Sequence, residues 1–240
     1  MAFYHKITGT HLGILVLFIY AVLMSCNVYA DDNKLTIVQS GSDLTFTVDQ
    51  IGNNNEIKMK DGSSFFTGSD WTMALYQKNV TNQNTINIDE LNGNNNTLRF
   101  GQGGSLTDNT DTSFTYDGVG DGGHTASFEI LGNSNTVVGY QESDGSGSHT
   151  YDLHLAGNNN SVWTAQESDT NKSIDLTIYN SGNTASIEQT GSAAHSATIT
   201  LDGSYGTNLS LSQQGTTAQS YTISQLCQTV SGCSISVTQQ

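Results

Sequence analysis

Four near copies of one short turn punctuate the chain: Gly52-Asn53-Asn54-Asn55, Gly93-Asn94-Asn95-Asn96, Gly132-Asn133-Ser134-Asn135 and Gly157-Asn158-Asn159-Asn160. A Gln follows six residues after an Asn in Asn33/Gln39, Asn96/Gln102, Asn135/Gln141, Asn160/Gln166 and Asn183/Gln189. Thr207/Gln213 and Cys233/Gln239 keep the interval with the Asn replaced. An interval held across so many units marks internal repetition, the feature that most restricts the folds open to a chain.

Each unit reads as strand, turn, strand. Apolar residues alternate before the turn (Leu44, Phe46, Val48; Ala126, Phe128, Ile130; Tyr151, Leu153, Leu155; Ile174, Leu176, Ile178) and again after it (Leu35, Ile37; Ile57, Met59; Leu98, Phe100; Ala185, Ile187; Leu209, Leu211). Period two predicts half-buried strands, and Gly and Asn tolerate the positive φ of a tight reversal. One such arch cannot bury its own face, so the units must stack. The expected fold is all-β, a β-solenoid of stacked strand-turn-strand repeats. In-register stacking, at about 4.8 Å per coil, sets Asn over Asn and Gln over Gln, where side-chain amides donate and accept along the axis. The expected ladder is Asn33, Gln39, Gln50, Asn55, Asn96, Gln102, Asn135, Gln141, Asn160, Gln166, Asn183, Gln189, Gln213 and Gln239.

Composition agrees with such ladders. The chain has no proline, 25 glycines and only 12% charged residues. Without proline every strand position can donate to a ladder. A net charge of −15 at pH 7 leaves no basic surface to displace counterions, which argues against nucleic acid as a partner.

Residues 1–30 are expected to be a signal peptide and 31–240 the solenoid domain. Lys6 precedes the apolar stretch Leu12 to Met24, and Val28-Tyr29-Ala30 offers small residues at a cleavage site. Leu23-Met24-Ser25-Cys26 also resembles a lipoprotein processing site. Nothing later is apolar enough to span a membrane. Lys60 to Tyr76 and Gly103 to Gly123 break the spacing and are expected as insertions, centred near 61–70 and 103–123. They read as surface loops, with Phe65, Phe66 and Trp71 folded back as plugs.

These residues resemble the curlin repeat of curli subunits, Ser-x5-Gln-x-Gly-x-x-Asn-x-Ala-x3-Gln. Gln50-Ile51-Gly52-Asn53-Asn54-Asn55 matches its centre and Asn183-Thr184-Ala185-Ser186-Ile187-Glu188-Gln189 its last part. The first-strand Gln is replaced by Leu91, Ile130, Leu155 and Ile178, and no unit carries the whole pattern. The resemblance implies a structural subunit of an extracellular curli-like amyloid fibre. It implies secretion through an outer-membrane apparatus, self and other curlin-like subunits as partners, and a role in adhesion and biofilm matrix. The alternative is a soluble solenoid adhesin, or an ice- or carbohydrate-binding protein, that does not polymerise. A flat Thr array would favour ice, but Thr198 and Thr200 find no matching Thr in the other units.

Nucleophile, phosphate-loop and zinc signatures are missing, so no enzyme activity, catalytic residue, metal or cofactor is expected. Asp108, Asp111, Asp117 and Asp121 crowd one loop in no calcium-loop spacing and read as solvated. His124, His149 and Lys172 each sit eleven residues before an Asn of the repeat, and His195 lies in a similar place. They are expected on one edge as solvated turn residues, or as a column of like charges. Cys227 and Cys233, six apart in the final unit, are expected to bridge in an oxidising exterior. That unit, with a complete last strand, is expected to dock another subunit.

Overall fold

Alternation in the strands dictates two facing sheets, and their sequential order dictates parallel stacking. A computed structural model describes residues 33–35, 39–40, 45, 47–59, 66–67, 70–80, 82–91, 93–116 and 122–240. The expected signal peptide lies outside the described residues. The chain divides into Met1–Ala30 and Asp31–Gln240.

Asp31–Gln240 is a parallel β-solenoid of about seven turns. Its first-strand rungs run in register through Lys34, Glu56, Thr85, Thr125, Thr150, Ser173, Ser196 and Ser220. Its second-strand rungs run through Thr45, Thr72, Thr97, Thr136, Ser161, Thr184 and Asn208, with Ser234 beyond. No helix occurs among the described residues. The longest rungs, His195–Gly203 and Ser220–Cys227, pair over eight positions near the C-terminal end.

The core lies between the two strand stacks. Ile88, Phe128, Leu153, Leu176 and Ile199 from the first strands meet Leu98, Val137, Val162, Ala185 and Leu209 from the second, all in one buried cluster. Phe100 packs on Phe128 and Tyr151 at centroid distances of 5.1 and 5.3 Å. Burial of this continuous apolar spine, at about 25 cal/mol per Å², is what a single arch lacks.

The turns fit because one residue accepts the left-handed region and another has no side chain. Asn54, Asn95, Ser134 and Asn159 take φ of 60°, 54°, 57° and 55°. A Cβ on Gly132 would lie 1.8 Å from the carbonyl oxygen of Gly157, and one on Gly157 would lie 1.9 Å from that of Asn180. The glycine therefore serves the coil spacing.

The structure corrects the expected first insertion. Phe66–Thr67 pairs in parallel with Gln39–Ser40, and residues 70–78 form the second strand of an ordinary coil. Thr72 bridges Thr45 and Thr97, and Trp71, Met73 and Leu75 are core residues. Trp71 is a plug as expected, but within the coil and in the place other coils give to Asn. Residues 61–65 and 68–69 lie outside the described residues. Within the stretch expected as the second insertion, Ser105 and Thr115 form an antiparallel bridge, and 117–121 lie outside the described residues.

Replacing Gly132 by Ala should lower solenoid stability by at least about 1–3 kcal/mol, since the methyl group must displace backbone and not a pliable side chain. Urea unfolding followed by circular dichroism measures this; an unchanged midpoint would mean that the coils are not held at this spacing.

Candidate functional site

Three columns of buried polar side chains run along the axis. The first closes each coil. Gln50 Nε2 donates to Gln77 Oε1 (2.8 Å), Gln77 to Gln102 (3.0 Å), Gln102 to Gln141 (3.0 Å) and Gln141 to Gln166 (2.7 Å). Farther along, Gln213 donates to Gln189 (2.8 Å). The second Nε2 hydrogen crosses the coil to a first-strand carbonyl: Gln77 to Glu56, Gln102 to Thr85, Gln141 to Thr125, Gln166 to Thr150, Gln189 to Ser173 and Gln213 to Ser196. One amide thus ties a coil both to its neighbour and to itself. In a buried setting each unmade bond would cost about 1–3 kcal/mol.

The second column lies at the entry to the second strand. Asn96, Asn135, Asn160 and Asn183 each accept at Oδ1 from the backbone N–H one coil on, at 2.8, 2.9, 2.8 and 2.8 Å. Asn96, Asn135 and Asn160 donate from Nδ2 to the carbonyls of Gly132, Gly157 and Asn180. These bonds run from amide to backbone, unlike the expected stack of amide on amide; Asn183 Nδ2 to Asn160 Oδ1, 2.9 Å, is an amide–amide link.

The third column lies at the entry to the first strand. Asn33, Asn55 and Asn84 accept from the backbone N–H of Asn55, Asn84 and His124 at 2.7, 3.3 and 3.0 Å. His124 Nδ1 then accepts from His149 N (3.1 Å), and His149 Nδ1 from Lys172 N (3.2 Å). The two imidazoles stack at 4.9 Å. Imidazole here performs the task of an asparagine oxygen. His124, His149, Lys172 and His195 are all buried, so they are not solvated turn residues. Lys172, with no acceptor to offer, turns its amine to the carbonyls of Gly191 and Ala193, and burial lowers its pKa to about 8.

The expected stacking of Asn over Asn and Gln over Gln therefore resolves into three columns, the asparagines being divided between two. Asn33 and Asn55 stand at first-strand entries, apart from Asn96, Asn135, Asn160 and Asn183. Gln39 pairs through its strand with Phe66, whereas Gln50, Gln102, Gln141, Gln166, Gln189 and Gln213 share the coil-closing column. Gln239 lies at the equivalent place in the last coil and contacts Tyr221 OH. Gln77 and Asn84 went unread in the repeat, because Trp71 breaks the Asn pattern ahead of Gln77. A second signal marks that coil: Thr45, Thr72, Thr97, Thr136, Ser161 and Thr184 each stand five residues before a Gln. The same register sets a hydroxyl column on the outer face, and, contrary to expectation, Thr198 and Thr200 meet Thr222 and Thr177 in register.

Cys227 and Cys233 are joined as a disulfide with Cα atoms 5.8 Å apart. They sit where the chain passes from first to second strand in the last coil, since Cys227 registers with Gly203 and Cys233 with Thr207. Thr207 ends the Asn column, so the bridge spans an arch that no Asn clamps. In the aspartate-bearing loop, Asp108 accepts from the N–H groups of Thr110 and Asp111, and Asp111 from those of Thr107 and Ser113. Among the described residues, no group of three or more His, Cys, Asp or Glu gathers to hold a metal, and Asp117 and Asp121 lie outside them.

Both stacked imidazoles must stay neutral to accept at Nδ1. Burial, with an adjoining imidazole or ammonium as a lesser cause, lowers His124 to about 3 and His149 to about 4. Their unfolded value is about 6.5. Their contribution is complete above pH ~6.5 and is lost as pH falls towards the folded values, by roughly 2 kcal/mol for each at about pH 5. The double variant His124→Asn/His149→Asn keeps an acceptor, as Asn84 does, and should flatten the loss between pH ~6.5 and ~4.5. Equal pH slopes of the urea midpoint in both proteins would contradict this.

Comparison with known proteins places the first coils. Residues 30–60 match the family of the curlin associated repeat. No curated protein and no solved structure matches the chain.

Proposed function

We propose, from the match of residues 30–60 to the curlin associated repeat and the β-solenoid fold of the chain, that this protein is a structural subunit of an extracellular curli-like fibre. The observation that supports this most is the state of the last coil. Tyr221, Ile223, Ile235 and Val237 pack against the core but are only partly buried, whereas their counterparts Ala197, Ile199, Leu209 and Leu211 are buried. The first strand of that coil, Ser220–Cys227, is exposed or half-exposed at every position but Cys227. That face offers a further coil a strand edge and an apolar inward row, as every internal coil offers its neighbour.

A second copy stacked there would extend the same register, and repeated addition gives a cross-β fibre. Adhesion and a matrix role follow from such a fibre outside the cell, with secretion through an outer-membrane apparatus. Among the described residues no helix is long and apolar enough to cross a membrane. The partners proposed are further copies and other curlin-like subunits, and no enzymatic activity is proposed.

Purified residues 31–240 should form thioflavin-binding fibres that are seeded by preformed ones. Removing residues 218–240 should abolish seeding while the preceding coils stay folded by circular dichroism; seeding at the full-length rate would place growth elsewhere. Replacing Gln141, Gln166 and Gln189 together by Leu should lower the denaturant resistance of the fibre, because each change removes an axial and a transverse bond of about 1 kcal/mol or more. A chain that stays monomeric at every concentration would overturn the fibre reading.

A further inference from the structure

The loop at residues 103–116 folds back over the outer face of the second-strand stack and is held there firmly. Phe114 stacks on Tyr76 with centroids 4.8 Å apart and planes 7° from parallel, and Tyr116 meets it edge-on at 4.9 Å. The Phe114 ring lies over Gly101 and Gly104, where any Cβ would strike it at 2.1 or 2.9 Å. Leu106 is buried with Val138, Tyr140 and Ala165 in a second apolar cluster outside the main core. Arg99 donates from Nη2 to the carbonyl of Asn109. The loop tip is thereby fixed above the sheet, where it faces the second strands two and three coils beyond its own origin.

Between tip and sheet runs a groove of about 330 Å³, at the small end of the range for ligand sites. Its floor carries Trp163, half-buried and braced edge-on by Tyr140 at 6.0 Å. Around that ring stand the outward hydroxyls of Ser161, Thr184 and Ser186, with Asp108, Asn109 and Glu188 at the borders. We propose that this groove binds a neutral saccharide, a short stretch of a polysaccharide chain laid across Trp163.

The chemistry selects that class. A sugar ring has an apolar C–H face that packs on an indole, and hydroxyls that need donors and acceptors together; Ser, Thr and Asn side chains offer both and carboxylates accept two bonds at once. Asp108 and Glu188 repel phosphate, sulfate and uronate groups. One aromatic ring is too few for the cage that captures a quaternary ammonium. The side chains concerned project from the face opposite Val162 and Ala185, which belong to the core. The groove therefore stays open whether or not copies stack end to end, and the inference does not depend on the fibre reading.

The chain has two tryptophans, and Trp71 is only 1% exposed, so acrylamide quenching of the soluble monomer reports on Trp163. The probes are neutral tetrasaccharides of β-1,4-glucose, β-1,3-glucose, α-1,4-glucose and N-acetylglucosamine, with tetramethylammonium and a sulfated glucan as controls. At least one neutral probe should protect Trp163 with a dissociation constant on the order of 1 mM or tighter. By saturation-transfer NMR, Trp163→Ala and Glu188→Gln should each weaken it about tenfold or more, whereas Trp163→Phe should retain most of the affinity. Circular dichroism confirms that each variant is folded. Protection by tetramethylammonium or the sulfated glucan alone, by no probe at all, or equally in Trp163→Ala, overturns the proposal.

Discussion

The bond from a buried side-chain acceptor to the backbone N–H one coil farther along is the interaction on which this solenoid rests. Strand pairing satisfies the backbone within rungs, but the arches between rungs have no strand partners. Asn160 Oδ1 on Asn183 N, or His124 Nδ1 on His149 N, supplies the missing acceptor. Buried backbone donors without one would cost about as much as the burial of a side chain returns. The Gln column adds closure, because each amide joins the two ends of its own coil. Apolar packing then needs only to fill the space between two walls already set at a fixed distance.

Much of this was legible in the chain. The alternation of Ala126, Phe128 and Ile130 with Leu98 and Phe100 indicates stacked strands, and the structure is all-β accordingly. The assignment of columns was harder, for a geometric reason. A two-strand coil turns twice, and both turns favour Gly followed by Asn, so Gly52 to Asn55 looks the same as Gly93 to Asn96 although one enters a first strand and the other a second. Spacing alone cannot separate two turns that obey the same steric rule. Trp71 hid Gln77 by filling an Asn site with a plug, and its coil read as an insertion.

Burial was also misread at the histidines. A polar residue next to a turn is usually solvated, and nothing local distinguishes His124 from such a residue. What removes it from water is the stack above and below, a property of the assembled coils. The same holds for Lys172, whose amine finds carbonyls from a neighbouring coil. In each case the missing information was long-range: which residue lies 23 or 25 positions away in register.

A chain whose rungs all obey one rule faces a counting problem. If any coil can sit on any other, a growing stack can skip a rung or add one with little penalty, and each slip leaves most contacts intact. The loop at 103–116 breaks that degeneracy. Phe114 seats on the bare backbone of Gly101 and Gly104 and lies flat on Tyr76. It acts as an index mark on an otherwise uniform scale, so that coils on either side are numbered from it, and a miscounted stack carries an unseated aromatic ring.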